Sequence, residues 1–232
     1  MTAVSIDSLL VLGFLLGLRH ATEADHLAAI STIVTERRSL LSSSLVGAFW
    51  GVGHTLALSL AGVGVLLLRY QLTDRMTHVL ELCVGIMLVL LGANVLRTIV
   101  GEGASHAHAH MAVPSHSRAD LWFFSRPLLV GMVHGLAGSA PLLLLALTVM
   151  SSPLVAFSYI AVFGVGSLMG MTIMSLLVGV PARLTVQFAR TNLIVRGLSG
   201  LFSVGLGLFI VYQNGVLNLS SIGAMQFLRA VK

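Results

Sequence analysis

The chain has 232 residues, of which 56% are hydrophobic and only 9% charged, and a formal net charge of +5. A soluble domain would carry nearer a quarter charged residues, so a soluble globular fold is excluded and an integral membrane protein is expected. Its thirteen basic residues, twelve of them Arg, lie mostly between apolar runs without a dense cluster, a pattern of bilayer orientation and not of nucleic-acid binding.

In chain order the apolar runs give an all-α, polytopic membrane helix bundle with about six spans, at roughly 5–34, 42–68, 77–100, 127–150, 153–180 and 193–213. The first run is too long for one straight crossing and holds a polar cluster, so it should tilt, break or protrude at one end. No basic stretch followed by a small-residue cleavage site opens the chain, so no removable signal peptide is expected. Cys83 is the one cysteine and lies in an apolar run, which excludes an internal disulfide and a two-cysteine relay. We divide the single transmembrane domain, 1–232, into a three-helix unit (1–100), a His-rich loop (101–126), a second three-helix unit (127–213) and a C-terminal tail (214–232).

The two units are related in sequence. GLRHATEAD (17–25) aligns with GMVHGLAGS (131–139), placing His20 over His134 and Asp25 over Ser139. FWGVGHT (49–55) aligns with VFGVGSL (162–168), placing His54 over Ser167, and Gly85 and Gly92 align with Gly200 and Gly207. The offsets are 114, 113 and 115 residues. A three-span unit used twice inserts in opposite senses, a 3+3 inverted repeat of the kind found in transporters, whose sites lie at the repeat interface near mid-membrane. Loops after the odd-numbered spans, with adjoining helix ends, hold eight Arg against four basic residues on the other face. The odd-numbered loops are therefore expected in the cytoplasm and both termini outside.

Within the first span, RHATEADH (19–26) gathers five ionisable side chains, Arg19, His20, Glu23, Asp25 and His26. Each carboxylate or Arg at the bilayer centre costs about 2.5–3.5 kcal/mol, so the group needs partners or a purpose. Arg19 and Glu23 are four apart and can form a structural pair on a helix, which leaves Asp25 beside two imidazoles. With His20 at zero, Asp25 falls near about 140° and His26 near about 240° on a regular helix, too far apart to share one ligand. The helix should therefore open here, or the three face different neighbours; Gly13 and Gly17 ease a distortion. Imidazole with carboxylate suits Ni(II), Co(II), Zn(II) or Cu(II). His20, Asp25, His26 and His54 form the expected metal set, and Glu23, Thr55, His134, Ser139 and Ser167 are secondary candidates for the ion or its path. His78, beside Asp74 and Glu81, reads as interfacial, and Met169, Met171 and Met174 as packing. His106, His108, His110 and His116 form a tract suited to loose metal binding.

RHATEADHLAAI together with GVGHTLAL resembles the nickel/cobalt transporter family, whose hallmark is H-x4-D-H in one membrane helix and a Gly-His-Ser-type element in the next. Length, six spans and RPLLVGMVHGLAGSA (126–140) resemble its shorter branch, the urease-accessory-type nickel permeases, over nearly the whole chain. The resemblance implies that His20, Asp25 and His26 bind the ion, that His54 shares its pathway, and that the His-rich loop is cytoplasmic. It implies secondary transport of Ni2+ first and Co2+ second, by uptake, across the cytoplasmic membrane of a prokaryote. The implied partners are the metal-ion substrate, the lipid bilayer and intracellular nickel-handling or urease-maturation proteins; no prosthetic group, catalysis or nucleic acid is implied. This sequence departs from the family where its second half reads HGLAGSA and GVGSLMGMT without an acid, where Thr55 replaces Ser, and where Ser31 and Thr32 follow AAI. The alternatives are a metal-ion exporter, since the motif has no direction, an anion exporter, which carboxylate and imidazole oppose, and an intramembrane metalloenzyme, whose H-E-x-x-H is absent.

Overall fold

The computed structural model describes residues 5–35, 39–68, 73–104, 116–137, 152–185 and 187–218, without the side chains of 65–68, 102–104, 116–124 and 217. Every regular element among them is helical: α1 (Ile6–His20), α2 (Ala24–Val34), α3 (Leu40–Leu68), α4 (Asp74–Ala104), α5 (His116–Ala137), α6 (Pro153–Thr185) and α7 (Ala189–Val211), which runs on into a π-helical segment, Tyr212–Asn218.

Local chemistry accounts for the helix ends near the polar cluster. At the start of α1, Ser5 Oγ accepts from the Ser8 N–H at 3.2 Å, and Asp7 sits in the first turn, where the helix dipole favours an anion. The helix stops at His20 because the chain turns: the Thr22 N–H donates to the Arg19 carbonyl (2.9 Å) and the Glu23 N–H to the His20 carbonyl (3.1 Å). Glu23 is extended, at φ −65° and ψ 150°, and starts α2. The first expected span is thus two helices of 15 and 11 residues joined by a break at Ala21–Glu23.

Among the described residues four helices are long and apolar enough to cross a membrane, over Leu40–Gly64, Asp74–Gly101, Pro153–Thr185 and Ala189–Val216. Three boundaries differ from the sequence reading. The fourth expected span begins earlier, since α5 starts at His116, so 116–126 is helix instead of loop, and α4 extends to Ala104. Residues 138–150 lie outside the described set. The helix at the chain's C-terminal end continues past 213 to Asn218.

α3 packs against both α5 and α6, α1 against α6, and α4 against α7. Contacts are made backbone to backbone through glycine, as small residues allow between helices in lipid. At Gly17 an added Cβ would run into the Phe163 carbonyl, and at Gly131 into the Trp50 carbonyl. Gly53 lies against the Leu128 carbonyl and Gly166 against that of Phe14; Gly85 meets Gly207, and Gly92 meets Gly200. The buried centre, with Trp50, Ile30, Ile33, Leu88 and Met171, surrounds the broken helix. Leu193, Leu198, Leu201, Leu208 and Phe209 of α7 point outward, the exposed apolar surface of a chain that meets lipid.

Candidate metal centre

The break lies deep in the bundle. His54 is at the midpoint of α3, and Ala21 lies against Gly170 at the middle of α6. His20 ends α1, Asp25 and His26 open α2, His54 comes from α3 and His134 from α5. The break aims the first three side chains at one place, which a continuous helix could not do. The four imidazoles are at most 1% exposed. Ring centroids are 4.4 Å apart for His20 and His26, 5.0 Å for His20 and His54, and 4.4 Å for His26 and His134.

Asp25 holds two of these rings. Its Oδ1 accepts from the His26 backbone N–H at 2.9 Å and stands 3.0 Å from His26 Nδ1, while its Oδ2 stands 3.0 Å from His134 Nε2. A carboxylate only accepts, so these bonds place protons on His26 Nδ1 and His134 Nε2 and leave lone pairs on His26 Nε2 and His134 Nδ1. Neither of those nitrogens has a partner among the described residues. Both nitrogens of His20 and both of His54 are likewise unbonded, which makes six buried ring nitrogens without a hydrogen bond. Glu23 Oε2 approaches His20 Nδ1 to 3.1 Å, but at an angle that makes no hydrogen bond.

Such orphaned groups are destabilising in a closed interior unless something binds them. Two triads have ligand atoms within 4.8 Å of one another, His20 with His26 and His54, and Asp25 with His26 and His134. Three neutral imidazoles suit a borderline transition metal. The carboxylate bonded to His26 and His134 is the outer support that orients such ligands and raises their basicity. The break also points the carbonyl end of α1 at the cluster, which favours a cation there.

His20, Asp25, His26, His54 and His134 come together as one cluster. Arg19 and Glu23 do not pair: the break takes Glu23 off the regular helix, its carboxylate turns to His20, and no Arg19–Glu23 ion pair occurs among the described residues. The Thr55 hydroxyl donates to the Gly164 carbonyl (3.1 Å) and that of Ser167 to the Gly17 carbonyl (3.3 Å), so both tie helices together. His78 Nδ1 stands 2.9 Å from Asn214 Oδ1, joining α4 to the π-helical segment. Met171 is core and Met169 is exposed. His106, His108, His110 and Ser139 lie outside the described residues, as does the side chain of His116. Sequence reasoning missed Trp50, which stacks on His26 at 5.4 Å and walls the cluster; its place one helical turn before His54 was the available signal.

No protein-family model matches the chain, and no solved structure matches it. It is 34% identical over 221 residues to the urease accessory protein UreH of Bacillus sp. (strain TB-90), covering 93% of this chain and 96% of that protein. Two Arabidopsis thaliana proteins, chloroplast protein FOR GROWTH AND FERTILITY 1 and its counterpart 2, are 28% and 25% identical over 86% of this chain. The chain spans 57% and 55% of their lengths. With its broken helix, buried imidazoles and candidate membrane spans, the chain belongs to the family of the urease accessory protein UreH.

Proposed function

We propose that this chain is a secondary transporter that carries a divalent transition-metal ion, nickel first and cobalt second, inward across the cytoplasmic membrane of a prokaryote. The carrying observation is the six unbonded ring nitrogens in four buried histidines at mid-bundle. Four of the six carry lone pairs, one on each neutral ring, and an interior that has desolvated them without internal partners is built for a guest that accepts lone pairs. His20, His26 and His54 supply nitrogens to the ion, and Asp25 sets the tautomers of His26 and His134. The name of the UreH relative adds a urease context, in which nickel-handling or urease-maturation proteins inside the cell receive the ion.

Six spans arranged as a 3+3 inverted repeat complete the reading, with α1 and α2 together as the first crossing and α5 in the fourth. Exchanging each residue for its counterpart 113 to 115 positions away turns one contact into another: Gly17–Phe163 into Gly131–Trp50, Gly53–Leu128 into Gly166–Phe14, and Gly85–Gly207 into Gly92–Gly200. The last two pairs run in opposite directions along α4 and α7, as an inverted repeat requires. A site between two such halves is exposed to alternate faces when the halves rock. With the cell interior negative, a dication gains about 4.6 kcal/mol per 100 mV on entry, so uptake proceeds without ATP.

Radioactive nickel accumulation in cells with and without the protein tests the reading. Higher accumulation with the wild-type chain, lost in His26→Ala, is the expected result; lower accumulation with the protein present reverses the direction and defeats it.

A further inference from the structure

Beside the histidine cluster lies a cavity of about 290 Å³ that the proposed chemistry leaves without a role. Its lining includes Glu23, Asp25, Glu81, Gln213 and Asn214: three carboxylates, two amides and, among the described residues, no Lys or Arg. Glu23 and Glu81 have side chains 50% and 38% exposed and line the cavity, whereas Asp25 is 21% exposed and already engaged by two histidines. His20, which does not itself line the cavity, is 1% exposed with both nitrogens unbonded, and its Nδ1 stands 3.1 Å from the Glu23 carboxylate that does. Asn214 is fixed in the wall by His78 and by donating to the Ile210 carbonyl at 3.2 Å.

We propose that this cavity is a loading chamber, a second cation site in which a divalent metal ion rests with its water shell before losing it to the histidines. The inference rests on the transport reading above. Six waters at about 30 Å³ each need roughly 180 Å³, which the chamber accommodates. Carboxylate and amide oxygens suit a hydrated ion held through its waters, and the imidazoles behind them suit the same ion once stripped. The order of donors along the path, oxygen outside and nitrogen inside, is therefore an order of dehydration, and Glu23 touches both stages. The chamber is walled by Glu81 in the N-terminal part of α4 and by Gln213 and Asn214 in the π-helical segment that follows α7. The start of α4 and the end of α7 lie toward the face expected outside from the distribution of Arg and Lys. Magnesium or calcium, which also prefer oxygen, enters the chamber and goes no further, and so competes with nickel without being carried.

Nickel uptake into sealed vesicles tests this at low and high ionic strength, with calorimetric nickel binding measured on the same variants. Glu81→Gln should raise the half-saturating nickel concentration about three- to tenfold at low salt by weakening local attraction. Its maximal rate and its calorimetric nickel affinity at the histidine site should stay within about twofold, the difference should fade near 1 M salt, where charges are screened beyond about 3 Å, and millimolar Mg2+ should inhibit it less. Glu81→Asp should recover most of the wild-type behaviour. Gln213→Cys in a Cys83→Ser background should react with a membrane-impermeant thiol reagent from the face carrying the C-terminus, more slowly when Ni2+ is present. An unchanged half-saturation in Glu81→Gln at low salt, or labelling from the opposite face alone, overturns the chamber. His26→Ala separates the two readings: wild-type nickel uptake by that variant defeats the transport site itself, whatever Glu81 does.

Discussion

Where α1 meets α6, Gly17 lies under the Phe163 carbonyl and His20 follows one turn later; where α5 meets α3, Gly131 lies under the Trp50 carbonyl and His134 follows at the same interval. Beyond that the halves part. The first continues with Glu23, Asp25 and His26, and its next helix brings His54; the second runs GLAGSA after His134 and has Ser167 where His54 would be. Backbone contact is wanted on both sides, because close helix approach in lipid depends on small residues wherever helices cross. On the proposed transport reading, ligands are wanted once. A single transition-metal ion takes few donors, and a full second set would place more desolvated imidazoles in the interior than one ion could satisfy.

The largest effects should come from the shared scaffold. Gly17→Leu and Gly131→Leu each drive a side chain into a carbonyl of the facing helix, and both should abolish the folded, monodisperse protein on size exclusion after detergent extraction. Gly197→Ala and Gly205→Ala, which face open space, should leave the elution profile unchanged. If one half tolerates its leucine, the two crossings are not equivalent and the repeat reading loses its geometric support.

Next in size are the changes that probe unequal chemistry. His26 belongs to both triads, so His26→Ala should weaken calorimetric nickel binding by more than about a hundredfold while the protein elutes as wild type. Asp25→Asn keeps the shape but can no longer accept from both His26 and His134, and should lose about ten- to a hundredfold. His134→Ala should fall at the lower end of that range, near about tenfold, because its ring supports the cluster through Asp25. A loss in His134→Ala equal to that in His26→Ala would make the second half an equal supplier of ligands and erase the asymmetry.

The break in the first helix was legible because angles are arithmetic: His20, Asp25 and His26 cannot converge on a regular helix, and the structure opens the chain between them. The same reasoning failed for Arg19 and Glu23, whose four-residue spacing has meaning only on an unbroken helix. His134 was legible through its alignment with His20. Trp50 could have been read from its place one helical turn before His54, whereas the cavity wall of Glu81, Gln213 and Asn214 was not legible, since it comes from elements distant in sequence and carries no local periodic signal. The role of Asp25 was half legible: its place in the cluster follows from the motif, whereas its hold on two imidazoles at once required the position of α5.

The smallest expected effect concerns Thr55, which stands next to a metal candidate in sequence yet points its hydroxyl at the Gly164 carbonyl, 3.1 Å away. Thr55→Val keeps the methyl that fills the space beside Gly164 and removes only the hydrogen bond. An interhelical bond of this kind in a membrane averages about 0.6 kcal/mol, so the variant should melt slightly earlier in detergent. Its nickel affinity should stay within about twofold, since no donor to the cluster is lost. A fall of about tenfold or more, beyond what one interhelical hydrogen bond explains, would place this hydroxyl among the groups that hold the ion. The contact between α3 and α6 would then belong to the site as well as to the scaffold, and the separation of shared backbone from one-sided chemistry would fail at the residue where the two lie closest.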